Sequence, residues 1–155
     1  MTAATTPGFA FDDSNVVWRQ FRALDGVDYH LLDVDPERQT VDWLMKFDPD
    51  RACVMHRHTG PCKTFVLQGE HHVFRPDGHG GENIVVRPAG TWATSEGDDV
   101  HYESGGPGGG VIYLCMTGVD DTIYDILNSD LELERAITVS DFRRVLDKQR
   151  GIAAK

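Results

Sequence analysis

Glycine and proline divide the middle of the chain into short runs, and this constrains the fold more than any other feature. In the run 40–47, Val41, Trp43 and Met45 alternate with more polar neighbours, which is the period of a strand with one buried face. Short strands separated by turns about every 8–12 residues predict an all-β sandwich or barrel. The predicted strands lie at 27–34, 40–47, 52–58, 64–67, 71–74, 83–87 and 111–117.

The carboxyl end has a helical pattern. Ser140 is a suitable N-cap for a helix over 141–150, and Gly151 is placed to end it. The apolar stripe of this helix predicts packing against the barrel or against a neighbouring subunit. The glycine-rich stretch 105–110 is predicted to be a mobile loop, because a strand follows it where a phosphate-binding loop needs a helix. We expect one domain over 1–155.

Charge and composition exclude several classes of partner. The 155 residues carry 25 acidic and 15 basic side chains, a net charge of −10, which argues against nucleic acid and anionic membrane surfaces. No run approaches the roughly 20 apolar residues of a membrane span. Residues 1–8 lack the features of a secretory signal. Three cysteines fit a reducing compartment, so we expect a cytoplasmic location.

The placement of the histidines is the strongest local signal. Five of the seven lie between positions 56 and 79, and His56 and His58 are two residues apart in a predicted strand. Strand residues two apart face the same way, so these imidazoles could bind one metal ion. Surface histidines at this spacing are common, and the pair alone is a weak signal. His71 and His72 are consecutive, so they cannot both be ligands.

The segment 56–70, HRHTGPCKTFVLQGE, resembles the first cupin motif, and 87–90, RPAG, resembles the turn of the second. The resemblance implies a double-stranded β-helix (jelly-roll) barrel over about 27–119 with a carboxyl-terminal helix over about 140–150. Two departures stand out. Cys62 and Lys63 occupy the usual position of the carboxylate ligand, and Ala93 stands where the last histidine is expected. The next histidine is His101.

A narrower resemblance is to the acetylacetone-cleaving dioxygenases and their relatives that cleave hydroxyacetophenones. In that branch a small-Gly-Pro loop follows the histidine pair, and the third histidine comes late. The likeness implies non-haem iron(II) held by three histidines without a carboxylate. Carried over residue by residue, it assigns the metal to His56, His58 and His101 and substrate contacts to Thr64, Phe74 and Arg75. It implies a catalytic role for Glu96, either as a base beside the metal or as a residue that orients a ligand histidine.

Three neutral imidazoles would leave the full charge on a divalent ion and favour an anionic substrate that chelates it, such as the enolate of a β-diketone or hydroxyaryl ketone. Ligand type alone also permits zinc or nickel. With three of six positions open, substrate and O₂ could bind together. The resemblance implies cleavage of a carbon–carbon bond with O₂.

Other functions stay open at this point. A non-catalytic cupin sensor for a metal or small ligand is one, and a cupin without metal is another. A different metal-dependent cupin enzyme, such as a hydrolase or isomerase, is a third. A homo-oligomer, dimer or tetramer, is expected, and the apolar residues Val16, Val17, Trp18 and Phe21 are candidates for its interface. The roles of Cys62, His71 and His72 are not assigned by the sequence.

Overall fold

The computed structural model describes residues 10–22 and 24–151. Residues 1–9, where the sequence predicts no secretory signal, lie outside them. The described part contains eleven strands and one helix, α1. Their bounds are β1 Arg19–Gln20, β2 Val27–Asp35, β3 Thr40–Phe47, β4 His56–His58, β5 Cys62–Pro76, β6 Glu82–Pro88, β7 Trp92–Ser95, β8 Val100–Ser104, β9 Gly110–Thr117, β10 Thr122–Leu127, β11 Leu133–Thr138 and α1 Val139–Gln149.

The strands form one continuous, curled antiparallel sheet in the order β1-β2-β3-β9-β5-β8-β4-β10-β11, with β6 and β7 also paired to β5. Strand β5 therefore pairs with four neighbours, and β4 and β8 are joined side by side. The sheet encloses an apolar core that includes Trp43, Ile112 and Leu114. This architecture confirms the all-β prediction. None of the described helices is long and apolar enough to cross a membrane.

Two predicted strands, 64–67 and 71–74, are halves of one strand, β5. The expected turn between them is a local irregularity. Gly69 has a positive φ of 66°, and the register with β9 shifts between Val66 and Gln68. A bulge of this kind bends a strand without ending it. The strand predicted over 52–58 is shorter than expected, because only 56–58 is continuous strand and Ala52 makes an isolated bridge to Ser104.

The prediction missed β1, β7, β8, β10 and β11. In β10 the residues 123–127 are all buried, so both faces of the strand are covered and the sequence shows no alternation there. Strand β8 is rich in polar residues, yet it too is largely buried. Periodicity could not identify either strand for these reasons.

Helix α1 begins two residues earlier than predicted. Its N-cap is Thr138, whose hydroxyl accepts from the backbone N–H of Asp141, while the Asp141 carboxylate accepts from the Thr138 N–H. This reciprocal capping box satisfies two helix donors. The helix packs on the barrel through Phe142, whose ring centroid lies 5.1 Å from that of Trp43. Gln149 adds a side-chain amide donor, 2.9 Å from the carbonyl oxygen of Leu31.

The glycine-rich stretch connects β8 to β9, the strand predicted to follow it, and it packs closely against β5. A Cβ atom on Gly110 would collide with the backbone carbonyl oxygen of Glu70. A Cβ atom on Gly108 would meet no atom within 4 Å. Gly110 is therefore required by the approach of two backbones, whereas Gly108 is not.

We expect Gly110→Ala to lower the free energy of unfolding by about 1–3 kcal/mol, because two strands must move apart to admit the methyl group. Gly108→Ala, in the same loop, should change it by less than about 0.5 kcal/mol. Chemical denaturation of both variants measures the difference. Equal stability of the two variants would contradict the close packing of this loop.

Candidate metal centre

The register of β4 against β8 brings the predicted histidines together. His56 and His58 are two residues apart on β4 and face the barrel interior, where both are buried. His101 lies directly opposite His56 in the antiparallel ladder, and directly opposite residues share a face of the sheet. The three imidazoles, the histidine triad, therefore converge from two neighbouring strands.

The geometry of the triad suits one metal ion. A ligand nitrogen from each histidine lies within 4.8 Å of the other two. The Nε2 atoms of His56 and His58 are 3.2 Å apart. Two ligands bonded to one ion at about 2.1 Å lie about 3.0 Å apart in an octahedron and about 3.4 Å apart in a tetrahedron. The spacing of this pair falls between those two values.

The proton position on His56 also favours metal binding. Its Nδ1 lies 2.8 Å from the carbonyl oxygen of Val54. A carbonyl oxygen only accepts, so Nδ1 carries the proton and donates it. The Nε2 lone pair is then free and faces the other histidines. This arrangement of a backbone acceptor behind the ring is common for metal-ligating histidines.

Burial and mutual repulsion keep two of the imidazoles neutral. Burial, and then the nearby charge of His101, lower the pKa of His56 to about 4. Burial, His56 and His101 lower the pKa of His58 to about 3. Burial would also lower the pKa of His101, but Asp99 and Glu103 outweigh it and raise that pKa to about 9. At neutral pH, His56 and His58 are thus ready to act as neutral ligands.

Two carboxylates contact the triad. Glu103 is buried, two residues beyond His101 on the same strand, and its Oε1 lies 3.6 Å from the Nε2 of His101. Asp99 lies behind the ring, with Oδ2 3.3 Å from the Nδ1 of His101. Arg75 holds Asp99 with two hydrogen bonds of 2.8 Å. Asp99 therefore orients His101 through Nδ1, whereas Glu103 lies at its Nε2.

Two cavities of opposite character meet at the triad, and His58 and Glu103 line both of them. The apolar cavity is lined mainly by hydrophobic side chains: Phe21, Trp43, Met45, Val54, Leu114, Met116 and Tyr124. The polar cavity contains charged and hydroxyl side chains: Thr64, Arg75, Arg87, Thr94, Ser95 and Asp99. A molecule bound at the triad would have an apolar and a polar wall.

The residues expected to contact substrate divide by the face of β5 on which they lie. Thr64 and Arg75 line the polar cavity. Phe74 is not among the residues lining either cavity described here, and its ring stacks on Tyr102 at a centroid distance of 4.6 Å. Because successive strand residues face opposite ways, Arg75 and Phe74 cannot both face the interior. The expected substrate contact of Phe74 does not fit this register.

Glu96 lies in the loop between β7 and β8 and is exposed. The carboxylates that contact His101 are Asp99 and Glu103 instead. Resemblance pointed to Glu96 because it precedes the third histidine in a Ser-x-Gly-like loop. The spacing of His101 and Glu103, two residues apart as in the histidine pair, was a usable signal for Glu103. It was missed because β8 had not been predicted as a strand.

The residues left unassigned by the sequence have distinct positions. His71 is fully buried, and its Nε2 lies 2.9 Å from Oε1 of Glu103. His72 faces the other way and pairs with Glu70 at 2.6 Å. Cys62 is buried and lines the polar cavity, where burial, with a contribution from Glu103, raises the pKa of its thiol to about 12.

The comparisons with known proteins define the family. The family model described as a ChrR cupin-like domain matches residues 7–119, which is most of the chain. The chain therefore belongs to the ChrR cupin-like family of the cupin superfamily. No curated protein matches it significantly.

Solved structures confirm the cupin fold at low sequence identity. A putative acetylacetone dioxygenase from Methylibium petroleiphilum PM1 is 19% identical with a TM-score of 0.70, and the alignment covers 94% of this chain and 98% of the other. An acetylacetone dioxygenase from Acinetobacter johnsonii is 16% identical with a TM-score of 0.70, covering 93% of each chain. The Fe(II) form of HppE is 16% identical with a TM-score of 0.54, covering 70% of this chain and 59% of that one.

We expect Asp99→Asn to weaken divalent-metal binding about 10–100-fold, because the asparagine no longer places a charged acceptor behind His101. Asp98→Asn is the matched control, since Asp98 is adjacent but its side chain is 90% exposed. Isothermal titration of the metal-free protein with Zn²⁺ measures both affinities. An unchanged affinity in Asp99→Asn would show that Asp99 does not support the triad.

Proposed function

We propose that this protein is a non-haem iron(II) dioxygenase that uses O₂ to cleave a carbon–carbon bond in an enolisable β-diketone or hydroxyaryl ketone. The observation that carries the proposal is the buried histidine triad at the junction of an apolar and a polar cavity. The structural similarity to acetylacetone dioxygenases supports the choice of reaction. The similarity to the Fe(II) form of HppE supports the choice of metal.

Iron(II) bound by the triad would supply the redox chemistry with O₂ and the positive charge that favours an enolate over its ketone. The protein would supply orientation. Trp43, Met45 and Leu114 would surround the carbon skeleton and exclude water. Arg75 and Arg87, in the polar cavity, would attract the ionised oxygens. Both atoms of O₂ would enter the two cleavage products.

The test begins with protein purified without added metal or chelator. Elemental mass spectrometry measures its metal content, and an oxygen electrode follows O₂ uptake after anaerobic iron(II) loading. We expect one O₂ consumed for each molecule cleaved from a panel of β-diketones and hydroxyaryl ketones. His101→Ala should lose the iron and at least about 100-fold of the rate, because one of the three ligands is gone.

His79→Ala is the matched control, since His79 is an exposed histidine in a loop and should keep both metal and activity. Iron-loaded protein that consumes no O₂ with any member of the panel would contradict the proposed reaction. Equal activity of His101→Ala and the unaltered protein would show that the histidine triad does not take part in the reaction.

A second candidate is a non-catalytic module that binds zinc. Cys53 favours it, because its thiol joins His56 and Glu103 in a second group of metal-ligand atoms within 4.8 Å of one another, and sulfur ligands suit zinc. Burial and the charge of Glu103 raise the pKa of this thiol well above its usual value, which disfavours the thiolate. Stoichiometric zinc that iron does not replace would select this candidate.

We also propose that the chain forms a homo-oligomer in a reducing compartment. The three cysteines are free. Of the surface predicted from the sequence, Phe21 belongs to the core, while Val17 is 62% exposed. A larger apolar surface lies on β6 and β7, where Ile84, Val86 and Trp92 are each more than half exposed. Strand β6 pairs with β5 alone among the described strands, so its other edge is available to a second copy.

The two surfaces are distinguished by charge insertion. We expect the double variant Ile84→Glu with Val86→Glu to be a monomer, because four buried carboxylates would have to be desolvated in a dimer. Val17→Glu should retain the native mass. Light scattering coupled to size-exclusion chromatography measures both. A native chain that elutes at its monomer mass of 17.3 kDa would refute the homo-oligomer.

A further inference from the structure

Glu103 is a buried carboxylate that faces the same point as the histidine triad. Its Oε1 lies 3.6 Å from the Nε2 of His101, and its Oε2 lies 3.8 Å from the Nε2 of His56. Each of the two oxygens therefore lies a few tenths of an ångström beyond the tetrahedral ligand separation of about 3.4 Å from one histidine nitrogen. Glu103 would join the ligand set through one or both of these oxygens.

The position of Glu103 is fixed from behind by His71. The Nε2 of His71 lies 2.9 Å from Oε1 of Glu103, and its Nδ1 lies 3.5 Å from a guanidinium nitrogen of Arg87. A guanidinium can only donate, so Nδ1 accepts and Nε2 carries the proton. His71 therefore donates from Nε2 to Glu103 and orients its carboxylate.

The remaining contacts of Glu103 also leave its charge facing the triad. The thiol of Cys53 lies 3.9 Å from Oε2, and the backbone N–H of Glu103 donates to the Cys53 sulfur. A carboxylate in a buried site is stable when it pairs with a cation or coordinates a metal. Each carboxylate oxygen of Glu103 thus has a nitrogen of the triad as its neighbour.

We propose that Glu103 is the fourth protein ligand of the metal, and that His71 is its positioning residue. The inference rests on the metal site of the proposed function and changes its composition, because the sequence predicts three histidines without a carboxylate. One carboxylate reduces the net charge of a divalent centre from +2 to +1. Four protein ligands leave two positions of an octahedron, so a chelating substrate and O₂ could not bind together unless Glu103 dissociated.

Cobalt(II) is the probe, because its visible absorption reports the number and kind of ligands. The full-length metal-free protein, Glu103→Gln and Glu103→Ala are titrated with Co²⁺ under nitrogen. We expect Glu103→Gln to lower the affinity by at least about 100-fold and to shift the visible bands of the saturated site. Glu103→Ala should recover part of its affinity and the original bands when formate is added, but not with equal chloride.

Asp99→Asn is the matched control, because it removes a carboxylate that contacts His101 at Nδ1, whereas Glu103 contacts it at Nε2. Its affinity should fall, but the bands of the saturated site should stay in place. Circular dichroism verifies that each variant is folded, and Glu103→Gln keeps the test valid if the alanine variant does not fold. Superimposable bands for saturated Glu103→Gln and the unaltered protein would overturn the inference.

The outcomes also separate this inference from the proposed function. Band shifts in Glu103→Gln together with an iron-loaded native protein that consumes no O₂ would support the ligand and reject the dioxygenase. O₂-dependent cleavage by the native protein, together with unshifted bands in Glu103→Gln, would support the dioxygenase and reject Glu103 as a ligand. A native chain that binds neither Co²⁺ nor Fe²⁺ would overturn both.

Discussion

The site depends on one antiparallel register, that of β4 against β8. It places His56 opposite His101, and the two-residue period of the strands then adds His58 on one side and Glu103 on the other. A shift by one residue would turn the side chains of a strand to the opposite face, and the cluster would be lost. Strand β8 is held in place by β5 as well as by β4, so the long strand β5 secures this register.

The sequence predicted those features that arise from local patterns. Alternation located β3 to the residue, and the same alternation put His56 and His58 on one face. The helix was predicted from its apolar stripe, although its N-cap is Thr138, two residues before the expected cap Ser140. These features could be predicted because they depend only on residues that are close together in the sequence.

Features that depend on contacts between residues far apart in the sequence were harder to predict. Strand β10 is buried on both faces, and the buried residues of β8 include the polar side chains of His101 and Glu103. Neither strand therefore has buried apolar residues that alternate with exposed polar ones. Phe74 and Arg75 were both proposed for the substrate site, yet their faces could be assigned only after the bulge near Gly69 was known. Glu96 was chosen by alignment of a loop, where spacing varies freely, whereas Glu103 is placed by a strand, where spacing is strict.

The departure from the common cupin motif has a structural explanation. Cys62 occupies the place of the usual carboxylate ligand on β5, and it lines the same polar cavity as Glu103 on β8. Two neighbouring strands thus project into one space, and a carboxylate missing from one can be supplied by the other. The Cys62 thiol, whose pKa burial raises to about 12, remains neutral beside Glu103. With Glu103 as ligand, the carboxylate of the metal site would come from β8 and not from β5. The net charge of the site would be the same as in the common cupin motif.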